Sequence, residues 1–162
     1  MWVLIAIAAG TPIGLALAWF LFLVVVMQTG YAPGLAVVRR FNRRVTNRGV
    51  MKSAGQPGAS ASIIRHVGRS SGKAYATPVG ITEAGDDFLI SLPYGTSPDW
   101  LRNVLAAGRA EAVHEGRTYG VGSPELVPAA SVARYQSRTE RLGQRVFGVD
   151  QVLRLRRTAV EG

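Results

Sequence analysis

The sequence predicts a mainly β (α+β) domain, a small antiparallel barrel carrying short helices, held by one N-terminal transmembrane helix. Three observations lead there. No charged side chain occurs from Met1 to Gln28. Beyond residue 60 the chain falls into short runs rich in β-branched and aromatic residues, separated by Gly, Asp and Pro turn signals. Strands and helices do not alternate in the βαβ manner, so a doubly wound parallel sheet is not expected.

The anchor comes first. At 1.5 Å per residue, about 28 helical residues reach about 42 Å, enough for a hydrocarbon core of ~30 Å with some tilt. Lipid offers no partner to backbone polar groups, so the span has to be helical. Trp2, Trp19 and Phe20 suit interface or packing positions, and Tyr31 sits where an aromatic belt would lie. Pro12 removes one helix hydrogen bond and invites a kink. A cleaved signal peptide is the competing reading, but it wants a positive start, a shorter apolar core and a small-x-small cleavage site. Gly10-x-x-x-Gly14 has the spacing of a helix-dimer face, interrupted by Pro12, and leaves a homodimer as an open expectation.

All of the 19 Lys and Arg follow residue 38. Arg39, Arg40, Arg43, Arg44 and Arg48 lie just past the span, so the positive-inside rule keeps the C-terminal domain in the cytoplasm of a single-pass cell-membrane protein. Between Arg39 and Lys73 there is no acid, whereas from Glu83 onward Arg and acidic residues balance. The net charge of +9 therefore belongs to one segment. That segment suits anionic lipid, or a polyanionic small molecule. Nucleic acid is not expected: only Tyr31, Phe41 and Tyr75 are near for base stacking, and no reader motif appears.

Three regions follow: residues 1–29 as anchor, 30–59 as basic juxtamembrane segment and linker, 60–162 as the folded domain. Leu35–Val45 is expected as a short amphipathic helix and Lys52–Ser60 as a flexible linker. Ser62–Val67, Tyr75–Thr82 and Phe88–Leu92 read as strands, with Glu83–Asp87 as a turn. Ala110–His114 and Arg117–Val121 flank Glu115–Gly116, a hairpin signal, and Glu125–Val127 reads as one more short strand. Ser97-Pro98-Asp99 starts a helix, with Ser97 as N-cap and Asp99 in the first turn; Gly108 ends it. Ala129 to about Val146 is expected as a second, polar helix, and Val149–Arg157 as a short basic tail.

The inventory for chemistry is thin. With two His and no Cys, a protein-ligated zinc site is close to excluded. His66 and His114 suit structural roles, although composition leaves a Ser–His–Asp triad open; no nucleophile elbow, Walker loop or dinucleotide fingerprint occurs. Gly68-Arg69-Ser70-Ser71-Gly72-Lys73 joins two strands with two cations, two hydroxyls and permissive backbone. It reads as a phosphate grip or as an exposed polar loop. Tyr94 to Asn103 reads as a helix N-terminus facing a ligand, or as a capped helix with Trp100 in the core.

Val67-Gly-Arg-Ser-Ser-Gly-Lys73, then Thr77-Pro78, Ser91 to Gly95, Pro98-Asp-Trp-Leu-Arg-Asn103 and Gly108 together resemble the deazaflavin-dependent nitroreductase family of actinobacteria, in a membrane-associated branch of nitroreductase/quinone reductase type. The resemblance covers roughly Ser60 to Val127. It implies a split β-barrel and a reduced deazaflavin coenzyme (coenzyme F420), bearing a phosphate and an oligoglutamate tail, which passes hydride to a quinone or nitro compound. Carried onto this chain, Arg69, Ser70, Ser71, Gly72 and Lys73 hold the phosphate, and Thr77 and Pro78 lie along the coenzyme. Pro93, Tyr94 and Gly95 sit near the ring or phosphate, and Trp100 and Asn103 support the pocket. Tyr94 and Tyr135 are the residues placed to orient an acceptor or give a proton. Departures stand out: Ser70 replaces a Lys of many relatives, the Ser91–Trp100 loop is shorter, the second Gly of a Gly-Gly pair is missing, and a Lys of that loop is replaced by Pro93 or Tyr94. An FMN-using split-barrel enzyme and a non-catalytic membrane-anchored module, binding cofactor or lipid, are the alternatives.

Overall fold

The computed structural model describes residues 2–42 and 47–161. Three helices precede the sheet: α1 (Trp2–Thr29), α2 (Ala32–Phe41) and α3 (Asn47–Val50). Within α1, Pro12–Thr29 is long and apolar enough to cross a membrane, a test that a signal sequence also passes. Gly30 adopts a left-handed φ of 64°, and Pro33 opens α2, which turns back along α1. A Cβ on Gly34 would meet Val26 at 2.6 Å, so only glycine allows this approach. Val26 and Val38 are buried between the two helices, and the Phe41 and Trp19 rings lie 5.4 Å apart. The helix expected over Leu35–Val45 thus begins at Ala32; Arg43, Arg44 and Val45 lie outside the described residues.

Lys52–Ser60 is not a free linker. Ala54 is buried, Gly55 N–H donates to the Ala61 carbonyl at 2.8 Å, and Gly116 N–H donates to the Gly55 carbonyl. Its Gly and Pro residues make tight turns that dock on the barrel; a Cβ at Gly55 would collide with Val113 at 2.8 Å.

Seven strands follow: β1 (Ser62–Val67), β2 (Ala74–Val79), β3 (Thr82–Ala84), β4 (Asp87–Ser91), β5 (Arg109–His114), β6 (Arg117–Pro128) and β7 (Gln151–Glu161). They form one antiparallel sheet in the order β2-β1-β5-β6-β7-β4-β3. The edge strands β2 and β3 are joined by Gly80 and Ile81 alone, so Val79 and Thr82 are within about 11 Å. A flat seven-stranded sheet would hold its edges about 29 Å apart. The sheet must therefore curl until its edges meet without pairing, which is a split barrel. Register shifts at Gly120/Val121 and Gly122/Glu125 bend β6 to allow this.

The barrel interior holds Ile64, Phe88, Ile90, Leu101, Val104, Leu153 and Leu155, all 1% exposed or less. Helix α4 (Asp99–Ala107) contributes Leu101 and Val104 and stops at Gly108, whose φ is 67°. A second, smaller cluster around Leu89, Val132 and Val152 seats the 3-10 helix Ala129–Tyr135.

Further expectations change: the strand expected over Tyr75–Thr82 breaks at Gly80 and Ile81 into β2 and β3. Glu83–Asp87 is not all turn, since β3 runs to Ala84 and pairs with β4. Arg117–Val121 and Glu125–Val127 are one bulged strand, with Ser123 at φ 50° absorbing the break that Gly122 and Pro124 suggested. The polar helix is two pieces: Gln136 is extended, and Ser137 opens α5 (Arg138–Phe147) with a capping box to Glu140. The basic tail is β7, paired on both sides; its Arg154, Arg156 and Arg157 meet Asp86, Asp87, Glu83 and Glu125.

Candidate functional site

The loop Gly68–Lys73 turns β1 into β2. Gly68 N–H donates to the Lys73 carbonyl at 2.8 Å, and Gly72 N–H to the Gly68 carbonyl at 2.9 Å. A Cβ on Gly68 would lie 2.4 Å from Ser71 Oγ, while Gly72, at φ 64°, faces open space. Ser71 Oγ accepts from Lys73 N–H and meets the Tyr75 hydroxyl at 3.2 Å. The N–H groups of Ser70 and Ser71 and the exposed Lys73 ammonium have no protein partner among the described residues.

Arg69 turns away from the loop's open side and onto α4. Its backbone N–H and Nη1 both donate to Asn103 Oδ1, at 3.1 and 2.9 Å, and Nη2 pairs with Asp99 at 3.3 Å. Asn103 is buried, and its Nδ2 lies 3.2 Å from His66 Nδ1. Two donors on Oδ1 identify that atom as the carbonyl oxygen, so Nδ2 donates and His66 Nδ1 accepts. Neutral His66 then carries its hydrogen on Nε2 and donates to Thr77 Oγ1 at 3.2 Å. The hydroxyl hydrogen of half-exposed Thr77 is left to point outward.

One directional chain therefore runs Arg69, Asn103, His66, Thr77, linking loop, α4, β1 and β2. Burial holds His66 below its ordinary value, in keeping with a neutral ring. Burial pulls the Asp99 carboxyl up, but bonds and charge from Arg69 and Arg102 outweigh it and hold the group low. Tyr75 stacks on His66 with ring centroids 5.7 Å apart.

Pro93, Tyr94 and Gly95 stand in a different place. They line a cleft of about 340 Å3 with Met27 and Gly30 of the α1 end, Leu35 of α2, and Gly148, Asp150 and Gln151 before and in β7. Asn42 Nδ2 donates to the Tyr94 oxygen, and Arg39 Nη1 donates to Ser97 Oγ at 2.8 Å. Ser97 is thus held by α2 and does not cap α4, whose N-cap is Pro98. Burial pushes the Tyr94 phenol above its ordinary value, against the bond from Asn42, which lowers it. The two groups are joined through the chain itself, since Ser97 and Asp99 are two residues apart.

The remaining site residues divide. Trp100 packs against the barrel core, and Pro78 sits half-buried on edge strand β2. Tyr135 lies on the 3-10 helix, where Arg134 bonds its hydroxyl and covers its ring; no described contact joins it to either group. Ser62 Oγ meets His114 Nδ1 at 2.6 Å, and His114 Nε2 meets Glu83 at 3.3 Å, but Ser62 is 3% exposed and closed to a substrate. No metal-holding cluster occurs among the described residues. His66, Asp99 and Tyr75 join this group of contacts, whereas sequence reading gave His66 a structural role, Asp99 the first turn of a helix and Tyr75 only a place near the basic segment. The signal was hairpin pairing: the register that sets His66 opposite Tyr75 and Ile64 opposite Thr77 follows from the loop length.

Residues 37–151 match the family described as F420H2-dependent quinone reductase. No curated protein matches the chain. Among solved structures, one described as an F420-H2 dependent reductase is 13% identical, covers 59% of this chain and 93% of its own, with a TM-score of 0.44. Another, described as an F420 reductase, is 16% identical, covering 68% and 94%, with a TM-score of 0.42. Likeness at that level does not bear on the chemistry of individual residues.

Proposed function

Because this chain belongs to the F420H2-dependent quinone reductase family, it is an F420-dependent oxidoreductase, and we propose that its acceptor is a quinone, nitro compound or similar electron-poor molecule met at a membrane. The observation that carries this reading is the placement of the cleft. One wall is the end of the helix long enough to cross a membrane; the other is the loop that leads into α4, where Arg69 is held. The cations Arg39 and Arg40 follow that helix, which supports a cytoplasmic barrel.

The loop fits a phosphate-bearing coenzyme. It offers two unpaired N–H groups at Ser70 and Ser71 and an unpaired ammonium at Lys73, around a glycine with open space. Those three groups hold the phosphate. Arg69 serves as a buttress fixed by Asn103 and Asp99, and Thr77 offers its hydroxyl hydrogen along the same face. The bound coenzyme supplies the hydride. Tyr94 oxygen accepts from Asn42, so the phenol hydrogen is free to go to an acceptor oxygen, and burial keeps that hydrogen in place. Neighbouring Leu92, Leu35 and Met27 give the cleft an apolar wall against which an acceptor ring can lie.

The test is titration of the full chain in nanodiscs with coenzyme F420 and, separately, FMN, followed by Trp fluorescence. Saturable F420 binding without an FMN response, then turnover with a lipid-soluble quinone, is the expected result. FMN binding with none for F420 would move the protein to the flavin class. Anionic-lipid binding without any redox turnover would make it a non-catalytic anchored module.

A further inference from the structure

We propose that the bilayer surface meets this protein part-way along α1, at the level of Trp19, and not at the end of the helix. The proposal rests on reading α1 as a membrane span. Three independent observations carry it.

The first is what lies beside α1. Helix α2 runs antiparallel to it, from the Gly34–Val26 approach to the Phe41–Trp19 ring contact. Helix α5 touches it at two levels, through the Gln28 amide on the Val146 carbonyl at 2.9 Å and through Phe147 on Phe20. From Trp19 to Thr29, about 15 Å of helix axis, α1 is therefore flanked by protein on the sides of α2 and α5, while Leu21 and Val25 on its other face stay 53% and 58% exposed. That protein carries exposed Arg40 next to Phe41 and exposed Arg145 two residues before Phe147. Sinking this stretch into hydrocarbon would take both guanidinium groups with it, which lipid resists.

The second is the convergence of aromatic rings. Trp19 contacts Phe22 at 5.5 Å and Phe41 at 5.4 Å, and Phe20 contacts Phe147 at 6.1 Å. Three separate helices thus place rings at one level of α1, with Arg40 and Arg145 on the side away from the N-terminus. Aromatic rings at the boundary with cations just outside it are the profile of a membrane interface.

The third is the remainder of α1, which no other element of the described residues flanks. Ile13, Leu15 and Leu17 are 70%, 72% and 57% exposed. Trp2–Ala18 would extend about 25 Å as helix, sufficient for a span at the short end of the usual range. Met27, which lines the cleft, then stands about 12 Å beyond Trp19, at headgroup level and outside the hydrocarbon.

The chain contains no cysteine, so single thiols report depth cleanly. Leu15→Cys and Val25→Cys are each placed in the full-length protein in nanodiscs, which expose both faces, and treated with a water-soluble maleimide. Both positions are exposed apolar sites, 72% and 58% for Leu15 and Val25, so neither change disturbs buried packing. The proposal expects Val25→Cys to react at least tenfold faster than Leu15→Cys. Protection of both thiols would centre the span near residue 20 and overturn the placement while leaving the anchor intact. Fast reaction of both would show that α1 does not enter lipid, which overturns the underlying reading as well.

Discussion

Asn103→Asp tests the directional chain at its centre. The substitution keeps shape and keeps both acceptor bonds to Arg69, at 3.1 and 2.9 Å. It replaces the one donor that faces His66 Nδ1, at 3.2 Å, with a charged oxygen. At that separation two unit charges attract by about 5 kcal/mol at an effective dielectric of 20. Arg69 neutralises part of the new charge and burial opposes it, leaving about 1.4–4 kcal/mol in favour of the imidazolium.

The direction of His66 titration should therefore reverse. In the natural chain the folded value is depressed, so the unfolded chain binds the proton first and stability rises with pH from the depressed folded value up to about 6.5. In Asn103→Asp the folded value lies above that of the unfolded chain. The His66 contribution is then full below about 6.5 and is lost as pH rises through the raised folded value. Proton NMR titration reads this directly, because the chain has 2 histidines and His114→Gln assigns the signals. Chemical denaturation across the same pH range reads the slope. A His66 value that stays depressed in Asn103→Asp would refute the contact between residue 103 and His66 Nδ1, and with it the chain that leads on to Thr77.

Three further outcomes are expected. Lys73→Ala removes an unpaired ammonium from the loop and should weaken F420 binding roughly tenfold or more in fluorescence titration, with thermal stability unchanged, since one charge-assisted bond is worth about 1.5–3 kcal/mol. Tyr94→Phe should retain coenzyme affinity while lowering turnover by at least about a hundredfold, the scale of positioned proton transfer; Tyr135→Phe should leave turnover unchanged, and equal losses in both would dissociate Tyr94 from proton transfer. Ser137→Ala should cost about 1 kcal/mol in urea unfolding through loss of the α5 cap. Burial raises the Glu140 carboxyl, but bonds from Thr82 and Ser137 outweigh it and hold it low. That contribution is present above the ordinary carboxylate value and disappears as pH falls through the lowered one.

Local signals were legible in the sequence wherever one short stretch decides the outcome. β1 is read to the residue, the Glu115–Gly116 hairpin has both residues at positive φ, and Gly108 ends α4 as expected. Charge hid β7: Arg154, Arg156 and Arg157 read as a tail because their partners Asp86, Asp87, Glu83 and Glu125 lie on other strands. A capping box inside a polar stretch divided what periodicity joined, and a bulge joined what Gly122 and Pro124 divided. The loop at 68–73 was legible as a glycine-bracketed turn between two strands. That Arg69 faces α4 was not, because its partners Asp99 and Asn103 lie 30 or more residues away in the chain.

The open seam between β2 and β3 has a consequence for how the chain survives in a crowded cell. An unpaired strand edge is a template on which a second chain can add, and β2 is long enough to serve. Pro78 lies near the end of that edge, where it withholds one N–H from any incoming strand. The same proline that resemblance sets beside the coenzyme thus also guards against aggregation, so replacing it to widen the pocket would expose the chain to strand-by-strand self-association.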